Sequence, residues 1–347
     1  MNHIWKVIRY SSIGSFFAGL VMVIQGCTIE REGALGVLLL LLLQFCSGPI
    51  DMGNGTTPFG PPFIYWTEQN DNVIRRCPLA SIPCNAADSQ NVTQPGTFTR
   101  PNGVLIDSGF IYWSEFSGNT IRRCNLADIP CDAVDAEIIA QDGAEFNGLN
   151  DILLDGGFIY WAEANHDAIM RCALADIPCD AVDAEVVAED VPDEFDFPSG
   201  LFIDGGFIYW SEAIDNAIMR CALADIPCDA VDAEVVAEDG NEFDIPIDIL
   251  LDGGFIYWSE VDNEAIRRCA LADIPCDVVD AEIVAEDGSE FDTPWGIFID
   301  NGFIYWAEFN DITIVRCALA DIPCDAGDAQ VVTQDASFGK PYLLLID

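Results

Sequence analysis

The chain has 347 residues, 51% of them hydrophobic, and a formal charge of −45 from 59 acidic against 14 basic side chains. A field of that sign repels phosphate backbones and anionic headgroups, so nucleic acid is excluded as a partner, while cations and basic proteins are drawn in. Lys6 and Lys340 are the two lysines.

Two apolar stretches open the chain. Residues 13–24 follow Lys6 and Arg9 and end in Ile24-Gln25-Gly26-Cys27. A basic start, a short apolar region and small residues at the cut read as a secretory leader. The same ending resembles a bacterial lipoprotein box with Cys27 as the lipidated residue, although Gln25 is not a favoured type there. Residues 34–43 include six consecutive leucines and are followed by Cys46, but the run is short for a membrane span. Either this second stretch is the real leader core or the pair anchors the chain. Both options place the rest of the chain outside the cytoplasm, secreted or held on the outer side of a membrane (periplasm or cell surface). Residues 1–48 are thus expected to form a leader or a membrane or lipid anchor. Residues 49–61, rich in Gly, Pro and Thr, read as a linker.

From residue 62 the chain repeats. Phe-Ile-Tyr-Trp occurs six times, starting at Phe63, Phe110, Phe158, Phe207, Phe255 and Phe303, 47 to 49 residues apart. Such a period, with several strand signals per unit, marks a propeller or similar array. One unit illustrates the reading. Residues 201–204 form a short apolar strand A, and Asp204-Gly205-Gly206 a tight turn. Strand B covers 207–212, strand C follows the polar loop 213–216, and strand D covers 233–237. Each unit is a four-stranded antiparallel blade. The first unit starts directly at strand B, whereas the chain ends in a strand A, 341–347, with no B after it. Joining the two closes an all-β, six-bladed propeller over 62–347 and leaves no sheet edge between the ends. A closed ring of this kind is expected to act as a monomer.

The pieces Tyr65-Trp66-Thr67-Glu68, Tyr112-Trp113-Ser114-Glu115, Tyr160-Trp161-Ala162-Glu163, Tyr209-Trp210-Ser211-Glu212, Tyr257-Trp258-Ser259-Glu260 and Tyr305-Trp306-Ala307-Glu308 resemble the YWTD repeats of lipoprotein-receptor-like six-bladed propellers. The resemblance implies an extracellular scaffold that binds proteins. Two departures stand out: Glu replaces the family's Asp, and each unit carries a cysteine pair.

Those pairs are Cys77/Cys84, Cys124/Cys131, Cys172/Cys179, Cys221/Cys228, Cys269/Cys276 and Cys317/Cys324, all Cys-x6-Cys across the C–D connection. The geometry suits six local disulfides in an exported chain, each contributing roughly 2.5 kcal/mol in the loop-entropy model. Metal binding is the rival, weakened by two ligands per pair and no nearby histidine.

Arg76, Arg123, Arg171, Arg220, Arg268 and Arg316 each precede a first cysteine, and each strand B ends in Glu. These arginines are expected beside the Trp or Glu of strand B as structural contacts. Asp107, Asp155, Asp204, Asp252, Asp300 and Asp347 close strand A and fit hairpin turns, with a calcium ring as the alternative. No other cofactor is implied.

Length variation between repeats falls in the D–A connections, and sequence varies most in the B–C loops. Both lie on one face of a propeller, which makes that face the candidate binding surface. Four residues before the Asp closing strand A stand Gly103, Gly200 and Gly296, but Asp151, Asp248 and Leu343 in the other units. Asp151 and Asp248 are expected near the mouth of the central channel. His166, Trp295, Tyr342 and Lys340 are further singular residues near that rim.

The functional expectation is a non-enzymatic scaffold binding a protein or small ligand, cationic in character. The alternative is a calcium-dependent hydrolase or lyase at the channel mouth. Against the alternative stand the single histidine of the repeats and the lack of any motif that sets a nucleophile beside a base.

Overall fold

The computed structural model describes residues 22–24, 27–29, 62–143, 145–189, 196–229, 231–238, 243–286 and 291–347. Residues 1–58 and 59–347 are separate compact units. In the first, Met22–Ile24 pairs antiparallel with Cys27–Ile29. The leader, the linker and the second apolar stretch otherwise lie outside the described residues.

In the second unit six four-stranded antiparallel sheets follow one another. In the fourth blade, Pro198–Asp204, Phe207–Glu212, Ala217–Ala222 and Glu234–Glu238 are strands A to D. The A–B turn is made by Gly205 and Gly206, both at positive φ, a conformation that costs glycine nothing. The first blade is completed from the far end of the chain. Pro341–Ile346 pairs with Phe63–Glu68 in the register Pro341↔Glu68 to Ile346↔Ile64. The carboxylate of Asp347 then accepts from the Phe63 N–H at 2.6 Å and from the Tyr65 hydroxyl at 3.2 Å.

The Phe-Ile-Tyr-Trp run of strand B is apolar because blades cover both of its faces. Side chains alternate along a strand, so Ile and Trp point to one neighbour and Tyr to the other. Tyr65 packs with Ile111 and Trp113 of the second blade. Ile64 and Trp66 pack with Tyr305 of the sixth, so the same contact runs across the closure. Five of these tryptophans also meet a Phe from the D–A connection edge-on, as in Trp66–Phe338 at 5.6 Å and Trp113–Phe98 at 5.0 Å.

All six expected disulfides are present: Cys77–Cys84, Cys124–Cys131, Cys172–Cys179, Cys221–Cys228, Cys269–Cys276 and Cys317–Cys324, with Cα atoms 6.4–6.5 Å apart. Both sulfurs of each pair are thereby taken up, which removes the metal-binding alternative for them. The second cysteine of each pair also makes a contact beyond its own loop, which the sequence reading did not foresee. Cys131 forms a backbone bridge to Thr93, Cys179 to Ala140, Cys228 to Ala188, Cys276 to Ala237, Cys324 to Ala285 and Cys84 to Thr333. Each partner lies at the strand D end of the preceding blade. The physical reason is the N–H of the second cysteine, which donates to a carbonyl there, as in Cys179 to Ile139, Cys228 to Val187, Cys276 to Val236 and Cys324 to Val284 at 2.8–2.9 Å. The staple therefore holds the segment that stitches blade to blade.

The arginine ring also departs from the expectation. Arg76 lies opposite Tyr65 and Arg75 opposite Trp66, so the residue next to the cysteine is on the Tyr side of the sheet. Its guanidinium stacks on the Phe that opens strand B, at 4.3 Å for Arg76 on Phe63 and 4.4 Å for Arg316 on Phe303. It also binds strand D, as in Arg220–Glu234 at 2.7 Å. The residue one step earlier is the one that reaches the strand B glutamate: Arg75–Glu68 at 2.9 Å, Arg122–Glu115 at 2.5 Å and Arg267–Glu260 at 3.1 Å. Side-chain parity on a pleated strand accounts for the exchange.

Candidate functional site

Strand A of every blade lines the central axis, and its first residues build the inner end of the channel. A Cβ on Gly103 would sit 2.8 Å from the Asn150 carbonyl oxygen, one on Gly200 2.7 Å from that of Ile247, and one on Gly296 2.6 Å from that of Tyr342. Every second blade must be glycine here because the next strand leans against it. The other three blades contribute Asp151, Asp248 and Leu343 to the channel wall.

Both carboxyls are held by backbone. Asp151 accepts from the N–H of Ile152 at 2.8 Å and, across to the next blade, from that of Leu201 at 3.0 Å. Asp248 accepts from Ile249 at 2.9 Å and Ile297 at 2.7 Å. Burial pushes the Asp151 carboxyl up to about 7 against these bonds. Burial and then the charge of Asp151 raise Asp248 well above the usual carboxylate range. Among the described residues, no ion pair reaches either one.

One residue earlier in each strand A, a second ring covers this level. Asn102 donates to Asn150 Oδ1 at 2.5 Å, and Asn150 to Ser199 Oγ at 3.4 Å. Gln69 donates to Asn102 Oδ1 at 2.5 Å. Tyr342 is hydrogen-bonded to Asn102, and its hydroxyl is raised by burial. Trp295 stacks on Tyr342 at 4.3 Å and on Phe309 at 5.1 Å, while Ile247 fills the sixth place, 3% exposed. Asn102, Asn150 and Ser199 are 0–3% exposed. Sequence reasoning missed these three residues. The signal was present in their shared register, one residue before the Gly/Asp position.

Beyond the carboxyls the channel has a volume of about 510 Å³ and walls that include Leu105, Leu153, Phe202, Leu250, Phe298 and Leu345. It runs out to Asp252 and Asp347, both exposed beside the A–B turns. Asp151 and Asp248 thus stand at the inner end of an apolar tube, and not at a mouth on the B–C/D–A face as expected. The covering ring separates them from that face. Trp295 and Tyr342 belong to the cover. Asp107, Asp155, Asp204, Asp252 and Asp347 are exposed at the hairpins. Among the described residues, no group of three or more His, Cys, Asp or Glu is placed to hold a metal.

His166 is elsewhere. It lies in a B–C loop with Nδ1 2.9 Å from Glu163 Oε2. The third blade has Met170 where the first, second and fifth have arginine, so His166 occupies the place of the missing cation. Lys340 donates to Asn310 Oδ1 at 2.9 Å and sits 4.3 Å from the Phe309 ring. The fourth and sixth blades carry Met219 and Val315 at that position. Their glutamates accept from the indole N–H of Trp210 and Trp306 and from the backbone N–H of Asp196 and Asp292. Burial, only partly offset by these bonds, pushes Glu212 up to about 8 and Glu308 to about 7. The repeated Glu has a reason in this geometry: in five of the six blades its side chain reaches back to the indole two residues earlier, the second blade being the exception.

No family model matches the chain, and no curated protein matches it. Among solved structures, a chain of the nidogen/laminin complex superposes with a TM-score of 0.64 at 14% identity, covering 82% of this chain and 98% of that one. A streptogramin B lyase superposes at 0.52 with 14% identity, covering 81% and 82%. A catalytically inactive virginiamycin B lyase of Staphylococcus aureus with quinupristin superposes at 0.51 with 15% identity, covering 81% and 78%. Likeness at these identities is a likeness of fold, and the fold is a six-bladed β-propeller of four antiparallel strands per blade.

Proposed function

We propose that this protein is an exported, non-enzymatic binding scaffold that presents its B–C/D–A face to a protein partner with a basic surface. The observation that carries the reading is the division of labour between the two faces. The A–B and C–D connections are near-identical turns and stapled loops, whereas the B–C and D–A connections differ from blade to blade on a frame held by inter-blade stitches. A fold shared with a chain of the nidogen/laminin complex supports it. The leader and lipidation at Cys27 are part of the same proposal, as is a monomeric state. Calcium at the hairpin aspartates is a lesser one.

The hydrolase or lyase alternative would use Asp151 and Asp248 as acid and base. Both already hold two backbone N–H groups and stand at the inner end of the tube. The test is a cross-link map of the full chain, purified with its disulfides intact, bound to partners captured from its own extracellular medium. Carboxylate-reactive reagents are needed, because Lys340 is the sole lysine of the propeller. Cross-links on the B–C and D–A loops, and capture weakened at least tenfold by Ile214→Asp in the fourth B–C loop, are expected; Ile214 is 59% exposed. Capture unaffected by Ile214→Asp but lost with Val182→Asp on the opposite face, where Val182 is 90% exposed, would overturn the reading.

A further inference from the structure

The binding face proposed above leaves the central tube without a role. The tube's geometry points to a second site: we infer that it binds a primary aliphatic ammonium ion, head inward between Asp151 and Asp248 and alkyl chain against the leucine and phenylalanine wall.

Three observations lead there. The wall is apolar over its length, from Ile152, Leu201 and Ile249 near the carboxyls to Leu251 and Ile346 near the opening, and an apolar cavity of about 510 Å³ is of ligand size. Its inner end is not apolar. Each oxygen of Asp151 and Asp248 accepts one backbone N–H, which leaves a second lone pair on each. No described cation pairs with either carboxyl, and the charge of Asp151 already bears on Asp248. Two like charges in one apolar end need either a shared proton or a counter-ion. An ammonium group supplies three donors and the missing positive charge. The third axial position is Leu343, so the head group has two carboxyl neighbours and one apolar one.

The dimensions and the field select the rest of the ligand. From the carboxyl level to the closing aspartates is four residues of strand, about 13 Å, which suits an unbranched chain of around eight carbons. A quaternary head cannot donate to the carboxyls. A carboxylate head has no donor to offer the carboxyls, and the exposed Asp252 and Asp347 at the opening repel it while drawing a cation in.

The test is calorimetric titration of the full, disulfide-intact chain with n-octylammonium chloride, n-octanol, octanoate and octyltrimethylammonium at physiological salt. One saturable site per chain for octylammonium is expected, with octanol and octyltrimethylammonium at least tenfold weaker and octanoate silent. Hexylammonium is expected to bind more weakly by up to about fourfold per methylene removed. Asp248→Asn and Asp151→Asn each weaken octylammonium at least tenfold. Leu153→Trp, which blocks the tube and keeps both carboxyls, abolishes the site and serves where an Asn variant fails to fold. Many weak sites unchanged by Leu153→Trp would show a cationic amphiphile coating an acidic surface and would overturn the inference. So would equal affinity for octanol. Neither result bears on the loop-face reading, whose test is the cross-link map.

Discussion

Glu212 shows what a single substitution in a repeat does. Three blades pair the strand B glutamate with arginine, the third sets His166 beside it, and the fourth offers Met219. The folded-state value near 8 lies above the usual 4.5. Stability from the protonated group is therefore full below about pH 4.5 and is lost as pH rises through 8. The melting temperature is expected to fall between about pH 5 and 8, and Glu212→Gln to flatten that slope in a pH series. Met219→Arg restores the pairing of the other blades and is expected to stabilise the protein at pH 9 by about 1.5–3 kcal/mol in urea titrations. Gly200→Ala drives a methyl against the Ile247 carbonyl at 2.7 Å and the Asp248 Cα at 2.8 Å. It is expected to cost about 1–3 kcal/mol, a loss read as a lower urea midpoint.

At the scale of elements, the disulfide loop carries two functions that one motif conceals. Cys-x6-Cys closes a short ring, and its second cysteine pairs with the preceding blade. The Cys124→Ser/Cys131→Ser double variant is expected to lose roughly 2.5 kcal/mol. Hydrogen exchange should speed up at the Cys131 and Gln94 amides, which bond to Val92 and Cys131 carbonyls across the blade boundary. Exchange confined to the loop itself would show that the staple is local. The strand B run was legible as a buried strand, but which arginine meets which partner was not. Alternation assigns faces only once the opposite strand's register is known.

For the whole molecule, closure is the decisive feature. The strand Pro341–Ile346 completes the first blade, and the Cys84↔Thr333 bridge and the Tyr305–Ile64–Trp66 packing cross the same seam. Deleting residues 341–347 is expected to expose the edge of Phe63–Glu68 and the axial wall together. Size-exclusion and native mass measurements should then show assemblies larger than those of the full chain, and a peptide of residues 340–347 added in trans should restore the full chain's size. A truncated chain with the same assembly size and urea midpoint as the full chain would contradict this account. Asp252 and Asp347 face solvent at the tube opening, so carboxylates stand where the apolar tube meets water.

Repetition made much of this readable from the chain alone. Six copies of Phe-Ile-Tyr-Trp in one register, an opening strand without its partner and a closing strand without its own determined the propeller, its blade number and its seam. Six Cys-x6-Cys pairs determined the staples, though not the blade-to-blade bridges their second cysteines make. Local pattern suffices for the staples because each unit repeats the same short-range choices. The site was a different matter. Asp151 and Asp248 stood out as departures, yet only the assembled ring put them beneath Asn102, Asn150, Ser199 and Tyr342 at the inner end of a tube and left His166 on a loop beside Glu163. The Asn102–Asn150 and Asn150–Ser199 contacts of that cover join residues about fifty positions apart across blade boundaries, and no local signal carries the depth of a side chain along a shared axis.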